Sequence, residues 1–250
     1  MSWVAANLDL IGRMLGAHLL QAIPPILLAF VLAIPVAKLA GGRAWLRGTV
    51  GVGSGLLYAI PSLPLFIVLP LALGTDIRSP LNIVVALTLY GLALMVPGAI
   101  GAFGSVERDV LRSATAQGFA SGARFWQVEL PLAGPALLAT LRVVVVSTVS
   151  LVTVGGVLGV PSLGMLFVDG FQRGIIAEIL TGVVLTAALA LALDGLLVLL
   201  GRALMPWSRA EGARRGRRGH HRGRDGAAGT GPDAASADPT APERVEGVAA

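Results

Sequence analysis

The chain has 250 residues, of which 55% are hydrophobic and only 13% are charged. Soluble domains carry about 25% charged residues, so this composition excludes an ordinary soluble globular protein. The chain has no cysteine, which excludes a disulfide framework and a thiolate metal site. The net charge of +5 includes a cluster of arginines after Pro206. Such a segment beside a membrane favours contact with anionic lipid over nucleic acid.

Five apolar segments are long enough to cross the hydrocarbon core of a bilayer, which takes about 20 residues of helix. In chain order they cover residues 18–40, 49–73, 81–103, 132–158 and 175–204. The first is too long and starts too late for a cleavable signal peptide. The sequence therefore predicts an all-α integral membrane protein with five transmembrane helices.

This reading divides the chain into three parts. Residues 1–17 form an extracytoplasmic N-terminal segment, and residues 18–207 form the transmembrane domain, with a cytoplasmic connection at about 104–131. Residues 208–250 are rich in Arg, Gly, Ala and Pro and nearly lack large apolar side chains. We expect this basic tail to be disordered and cytoplasmic, because it has little apolar surface to bury.

The distribution of Lys and Arg predicts the orientation, since cytoplasmic loops carry an excess of both. Three regions are rich in basic residues: the loop after the first segment, the connection between the third and fourth, and the part after the fifth. The alternate regions carry one arginine each. The N-terminus is thus predicted outside and the C-terminus in the cytoplasm. The basic residues are, in the rich regions, Lys38, Arg43, Arg47, Arg108, Arg112, Arg124, Arg202 and Arg209, and in the others, Arg13, Arg78 and Arg173.

Proline and glycine interrupt three of the five segments, at residues 61–70, at 97–101 and at 155–164. Irregular backbone at membrane depth persists only inside protein or beside a water-filled cavity, and broken helices often line transport pathways. Simple kinking is the alternative. Tyr58 and Tyr90, the two tyrosines of the chain, and Ser62 lie near these breaks and are candidates for lining a pathway. A tyrosine ring can bind a trimethylammonium group by a cation–π contact, although packing alone also accounts for both rings.

Two charged residues, Arg142 and Asp194, lie well inside predicted membrane segments, away from their ends. Arg142 follows the start of the fourth segment by about three helical turns, and Asp194 precedes Arg202 at the end of the fifth. Both should therefore lie at a similar depth. A charge at that depth is unfavourable by about 2.5–3.5 kcal/mol on insertion scales and usually pairs. We predict that Arg142 and Asp194 form an ion pair, either as a static brace or as part of a gate.

The connection between the third and fourth segments carries a recognisable pattern. Residues 106–117 are predicted to form a short helix capped by Ser105, a glycine ends it, and Leu-Pro starts the next segment. This pattern resembles the cytoplasmic signature of ABC importer permeases, in which the loop docks on a separate ATPase. The family usually has Glu where this chain has arginine. The matched positions are Ala114, Gly118, Val128, Leu130 and Pro131, and Arg112 stands at the position that departs from the family; we assign all six to the ATPase-coupling loop.

The resemblance extends over about residues 15–207. The stretches YAIPSLPLFIVLPLALG, ALTLYGLALMVPGAI, VGGVLGVPSLGMLF and ALALALDGLLVLLGRAL are similar to spans of the permeases for quaternary ammonium osmoprotectants, such as glycine betaine, choline and carnitine. After Pro97 the chain departs from that family, because Ile100, Gly101 and Ala102 replace a polar triplet. The resemblance implies a permease of methionine-importer-like fold in the bacterial cytoplasmic membrane, importing a compatible solute.

The resemblance also implies the partners. The only lysine, Lys38, is not in a G-x-x-x-x-G-K-[ST] motif, so we expect a non-catalytic subunit that binds no cofactor. ATP and Mg²⁺ would be held by a separate ABC ATPase. A second permease, identical or related, an extracytoplasmic solute-binding protein and membrane lipids are the other expected partners. We expect no metal site and no nucleic acid. An amino-acid importer, an ion-coupled secondary transporter and a non-transporting membrane scaffold remain alternatives.

Overall fold

The computed structural model describes residues 2–207. Every regular element among them is helical. The predicted disordered tail, residues 208–250, lies outside the described residues. The helices and helical turns in chain order are α1 (Ser2–Ala6), α2 (Leu8–Gly41), α3 (Ala44–Ala59), α4 (Ser62–Leu73), α5 (Pro80–Gly104), α6 (Arg108–Ala116), α7 (Ser121–Arg124), a π-helical turn (Phe125–Glu129), α8 (Leu130–Gly155), a 3₁₀ turn (Gly156–Leu158), α9 (Leu163–Arg173) and α10 (Ile176–Leu204).

Four helices of the described chain are long and apolar enough to span a membrane. They are α2, α5, the continuous helical stretch Ser121–Leu158 that contains α8, and α10. The fifth predicted segment, residues 49–73, is present as α3 and α4, which meet at a bend of 100° and together can form one span. The all-helical prediction is thus confirmed, with four spans or five according to how the bent pair is counted.

One predicted boundary was wrong. The helix that contains the first predicted segment, residues 18–40, is longer than the segment and runs from Leu8 to Gly41, because hydropathy marks only the apolar part of a helix. The helix predicted over residues 106–117 is shorter and begins at Arg108. Ser105 does not cap it; its hydroxyl instead donates to the carbonyl of Ala102 at 2.8 Å, at the end of α5.

The core of the fold is the close packing of α2, α5 and α8. Small residues allow this approach: a Cβ added at Gly91 of α5 would lie 2.7 Å from the Cβ of Ala29 on α2, and one at Gly98 would lie 2.3 Å from Cγ2 of Thr140 on α8. Helix association in lipid depends on such close packing, because lipid tails are as apolar as the side chains. These three helices therefore form the frame against which the other elements lie.

The bend between α3 and α4 follows from its prolines. Pro64 has no N–H, so the carbonyl of Ile60 loses the partner that a continuous helix would supply. The hydroxyl of Tyr90 on α5 donates to this carbonyl at 2.6 Å. A freed backbone carbonyl in a membrane segment must find such a partner inside the protein, and Tyr90 thereby fixes the bend against the core.

The connection from α8 to α9 contains closely packed glycines. A Cβ at Gly156 would lie 2.5 Å from the backbone of Gly164, and a Cβ at Gly164 would lie 2.0 Å from the carbonyl oxygen of Thr153. Ser162 caps α9 by accepting a hydrogen bond from the N–H of Gly164 at 3.2 Å. This packing holds the short helix α9 against the end of α8 before α10 begins.

Candidate coupling surface and membrane ion pair

Residues 108–124, which we call the coupling segment after the importer signature that they resemble, form a short helix followed by a sharp turn. Ala114 is the buried residue of α6, and the N–H of Phe119 donates to its carbonyl at 3.2 Å. Gly118 adopts a φ of +89°, a backbone conformation that residues with a Cβ rarely adopt. The turn predicted at Gly118 is therefore present, and it directs the chain from α6 into α7.

A π-helical turn joins this segment to α8. The N–H of Leu130 donates to the carbonyl of Phe125, five residues earlier. Pro131 follows, and proline neither donates to the preceding turn nor leaves room for the carbonyl four residues before it, which favours a locally wider helix. Val128 and Leu130 are half-buried beside it. The helical axis thus continues from the coupling segment into the membrane without a loop.

The outer face of α6 and α7 is a basic groove of about 570 Å³. Arg124 crosses between the two helices, and its Nη1 donates to Oγ1 of Thr115 at 2.8 Å. Arg112 is 77% exposed and contacts Asp109 at 3.2 Å. An ion pair between two exposed side chains is weak, so the Arg112 guanidinium is free to exchange Asp109 for a carboxylate of another protein. The groove is lined by Arg108, Leu111, Arg112, Thr115, Ala116 and Arg124.

Arg142 of α8 and Asp194 of α10 meet in the structure. Nε of Arg142 donates to Oδ1 of Asp194 at 2.6 Å, and one terminal nitrogen donates to Oδ2 at 2.7 Å. This bidentate arrangement is the strong geometry for an arginine–carboxylate pair. The pair joins α10 to the α2–α5–α8 core, and the geometry suits a brace as well as a gate.

The three residues predicted to line a pathway lie around the α3–α4 bend. The rings of Tyr58 and Tyr90 make an edge-to-face contact with centroids 6.0 Å apart. Tyr90 is buried and its hydroxyl donates to the carbonyl of Ile60, whereas Tyr58 is 45% exposed. Ser62 begins α4. The two tyrosine rings therefore pack against each other, and Tyr90 also binds the backbone. That these residues line a pathway stays a prediction.

The sequence analysis did not predict the ion pair between Lys38 and Glu129. The ammonium group of Lys38, near the end of α2, donates to both carboxylate oxygens of Glu129, the last residue of the π-helical turn. The side chain of Glu129 is only 6% exposed. Lys38 also lies 5.3 Å from the ring centroid of Phe125. The two partners are 91 positions apart, so no local pattern could reveal the contact. The one signal in the sequence was that Lys38 is the only lysine.

Among residues 2–207, no three His, Asp or Glu side chains gather closely enough to hold a metal ion. The features of this region are instead surfaces and contacts: a basic groove beside a tight turn, a helix that enters the membrane directly, and two ion pairs that link spans. Such an arrangement can receive another protein and pass its movement to membrane helices.

Sequence and structure comparisons identify the family. Residues 14–209 match the family described as binding-protein-dependent transport system inner membrane component, and the chain belongs to this family. It is a membrane permease with the fold of ABC importer permeases.

Among relatives, the choline transport system permease protein OpuBD of Bacillus subtilis is 29% identical over 82% of this chain and 90% of its own length. The osmoprotectant import permease protein OsmW of Salmonella typhimurium is 32% identical over 72% of this chain and 84% of its own length. Among solved structures, an inward-facing conformation of the MetNI methionine ABC transporter matches with a TM-score of 0.69 and 21% identity, covering 79% of this chain and 97% of that one. This last likeness concerns the fold and supports the predicted methionine-importer-like architecture.

Proposed function

We propose that this chain is the membrane-spanning subunit of an ATP-driven importer for a quaternary ammonium osmoprotectant, such as choline, glycine betaine or carnitine. The observation that carries the proposal is the agreement between relatives named for choline and osmoprotectant import and a coupling segment built around Gly118. The proposal applies the relatives' solute class to this chain.

The energy would come from a separate ABC ATPase that holds ATP and Mg²⁺. Its docking site would be the coupling surface, which we define as α6, the Gly118 turn and α7. The basic groove of this surface, with Arg112 where the family usually has glutamate, favours an acidic docking face on the ATPase. An extracytoplasmic solute-binding protein would deliver the solute, and a second permease, identical or related, would complete the pathway.

The helical continuity of residues 121–158 supports a mechanism for transmitting ATPase closure. A displacement of α7 would move the π-helical turn and α8 as one lever, because no flexible loop separates them. Arg142 would carry this movement to α10 through Asp194. Rearrangement of the spans would then expose the solute site alternately to the two sides of the membrane. Such a change requires two discrete arrangements of the packed helices.

The first experiment compares the wild type with Gly118→Asp in the native membrane. An aspartate at φ +89° strains the turn and adds a negative charge beside the predicted acidic docking face, so we expect the ATPase to co-purify with the wild type and to be lost from the variant. The matched control is Gly48→Asp, at an exposed position of α3 where an added Cβ meets no atom within 4 Å. Uptake of radiolabelled choline and glycine betaine should follow ATPase binding. If no ATPase accompanies the wild type, the importer proposal is wrong.

Deleting residues 208–250 separates this proposal from the scaffold alternative. A scaffold that recruits partners through its basic tail would lose its function, whereas the proposed permease should retain most of its uptake. A secondary transporter would retain uptake in both the deletion and Gly118→Asp. The two variants together therefore distinguish the three classes of protein.

A further inference from the structure

The contact between Lys38 and Glu129 lies where three elements meet. Lys38 belongs to the last turn of α2, Glu129 to the π-helical turn, and the ring of Phe125 packs against Phe103 of α5 with centroids 5.8 Å apart. We call Lys38, Phe125 and Glu129 the coupling joint. It connects the π-helical turn to α2 through Lys38 and to α5 through the contact of Phe125 with Phe103.

The burial of Glu129 makes this contact specific. Its side chain is 6% exposed, and burying a carboxylate is unfavourable unless a charged or hydrogen-bonding group pairs with it. Lys38 supplies that partner through both carboxylate oxygens, and the Phe125 ring holds the ammonium group by a cation–π contact. Because the partner lies on α2 and not on α8, a shift of the π-helical turn relative to α2 would leave a buried charge unpaired. The contact therefore favours movement of the two elements together.

We propose that the coupling joint transmits displacement of the coupling segment to α2 and α5, and that Lys38 and Glu129 are positioning residues for transport. This inference rests on the proposed function. The movement of the ATPase then has two routes into the membrane: the continuous helix leads to α8, and the coupling joint leads to the α2–α5 part of the frame. The joint stays closed throughout the transport cycle.

The test uses the complete complex of permease, ATPase and binding protein in vesicles, with glycine betaine and choline as probes. The quantity measured is the amount of solute imported per ATP hydrolysed. Lys38→Met and Glu129→Gln should each lower this ratio by about fivefold or more, the scale of coupling between sites, while the ATPase still co-purifies. The matched control is Arg47→Met, a basic residue lining the same groove as Lys38 and Glu129; its ratio should equal the wild type's.

The exchanged pair Lys38→Glu with Glu129→Lys decides whether the charge contact is the cause. It should return the ratio to within about twofold of the wild type, because the ion pair is restored with opposite polarity. A merely structural pair would change the yield of folded complex and leave the ratio unaltered. An unchanged ratio in both single variants, or an exchanged pair no better than either of them, would overturn the proposal.

A second measurement does not depend on transport. Lys38 is the only lysine and lines an open groove of about 250 Å³, so a carbodiimide should condense its amine with the Glu129 carboxylate into an amide, with loss of one water. Peptide mapping should locate this bond in the wild type and not in Glu129→Gln. The cross-linked complex should keep more than half of its import ratio. Absence of the bond, or a cross-linked complex that hydrolyses ATP without import, contradicts a joint that stays closed. A wild-type complex without ATP-dependent import contradicts the proposed function itself, whatever the cross-link shows.

Discussion

The frame helices and the peripheral helices of this permease are built differently. In the most apolar stretch of α5, 50% of the residues are buried within the chain, against 6% for α10, and α3 has no buried residue at all. Yet α10 is slightly more hydrophobic than α5 by mean hydropathy, at 2.5 against 2.2. Hydrophobicity therefore does not determine which helix lies inside.

The difference lies in how each helix is held. The frame uses close backbone approach at small residues such as Gly91 and Gly98. Two peripheral elements, α10 and the α3–α4 bend, also each make a specific polar contact with the frame. Asp194 fixes α10 through Arg142, and Ile60 fixes the α3–α4 bend through Tyr90. In lipid, apolar surface gains nothing by leaving the hydrocarbon, so packing and hydrogen bonds decide the arrangement. The following three predictions test this contrast.

The largest effect is expected from filling a glycine of the frame. Gly91→Leu would place side-chain atoms where Ala29 of α2 already lies, because even a Cβ would be 2.7 Å from that residue. Overpacking should lower the free energy of unfolding by about 1–3 kcal/mol or more. The matched variant Gly55→Leu on α3 meets no atom within 4 Å and should leave stability unchanged. Thermal unfolding in detergent measures both; equal losses would show that the frame and α3 do not differ in packing.

A smaller effect is expected from the ion pair that holds α10. Asp194→Asn removes the negative charge and leaves Arg142 without its partner inside the membrane, so the yield of folded chain should fall. Replacing both residues with leucine should recover part of that yield, because no charge is then left unpaired. Fluorescence-detected size exclusion of membrane extracts measures the yield. An unaltered yield and unaltered uptake in Asp194→Asn would show that the pair neither braces nor gates.

The smallest effect is expected at the bend of the second span. Tyr90→Phe removes the hydrogen bond to the Ile60 carbonyl and should cost about 0.5–1.5 kcal/mol of stability, together with greater proteolytic cleavage near the bend. Tyr58→Phe is the control, since its ring is half-exposed and lies at the other side of the edge-to-face pair. If the two variants unfold at the same temperature, Tyr90 packs against the bend without fixing it.

Much of the fold was predictable because hydropathy is a local property. The apolar segments located every spanning helix, although Leu8 shows that a helix extends beyond its apolar part. The meeting of Arg142 and Asp194 could be inferred because two isolated charges at similar depth have few other partners. The wrong capping residue, Ser105, was a different kind of error. A serine between two helices can accept from an N–H of the following helix or donate to a carbonyl of the preceding one, and the backbone geometry decided for donation to the carbonyl of Ala102.

The sequence by itself determined the all-helical membrane class, the likeness to importer permeases and the tight turn at Gly118, because each depends on short-range pattern or on the conformational freedom of one residue. Only the tertiary structure decided the 100° bend between α3 and α4, the π-helical turn before Pro131 and the pairing of Lys38 with Glu129. These features depend on which distant backbone and side-chain groups come into contact. The partner of a buried carboxylate depends on which cation the tertiary packing places beside it. Here the packing of α2 against the π-helical turn places Lys38 beside Glu129.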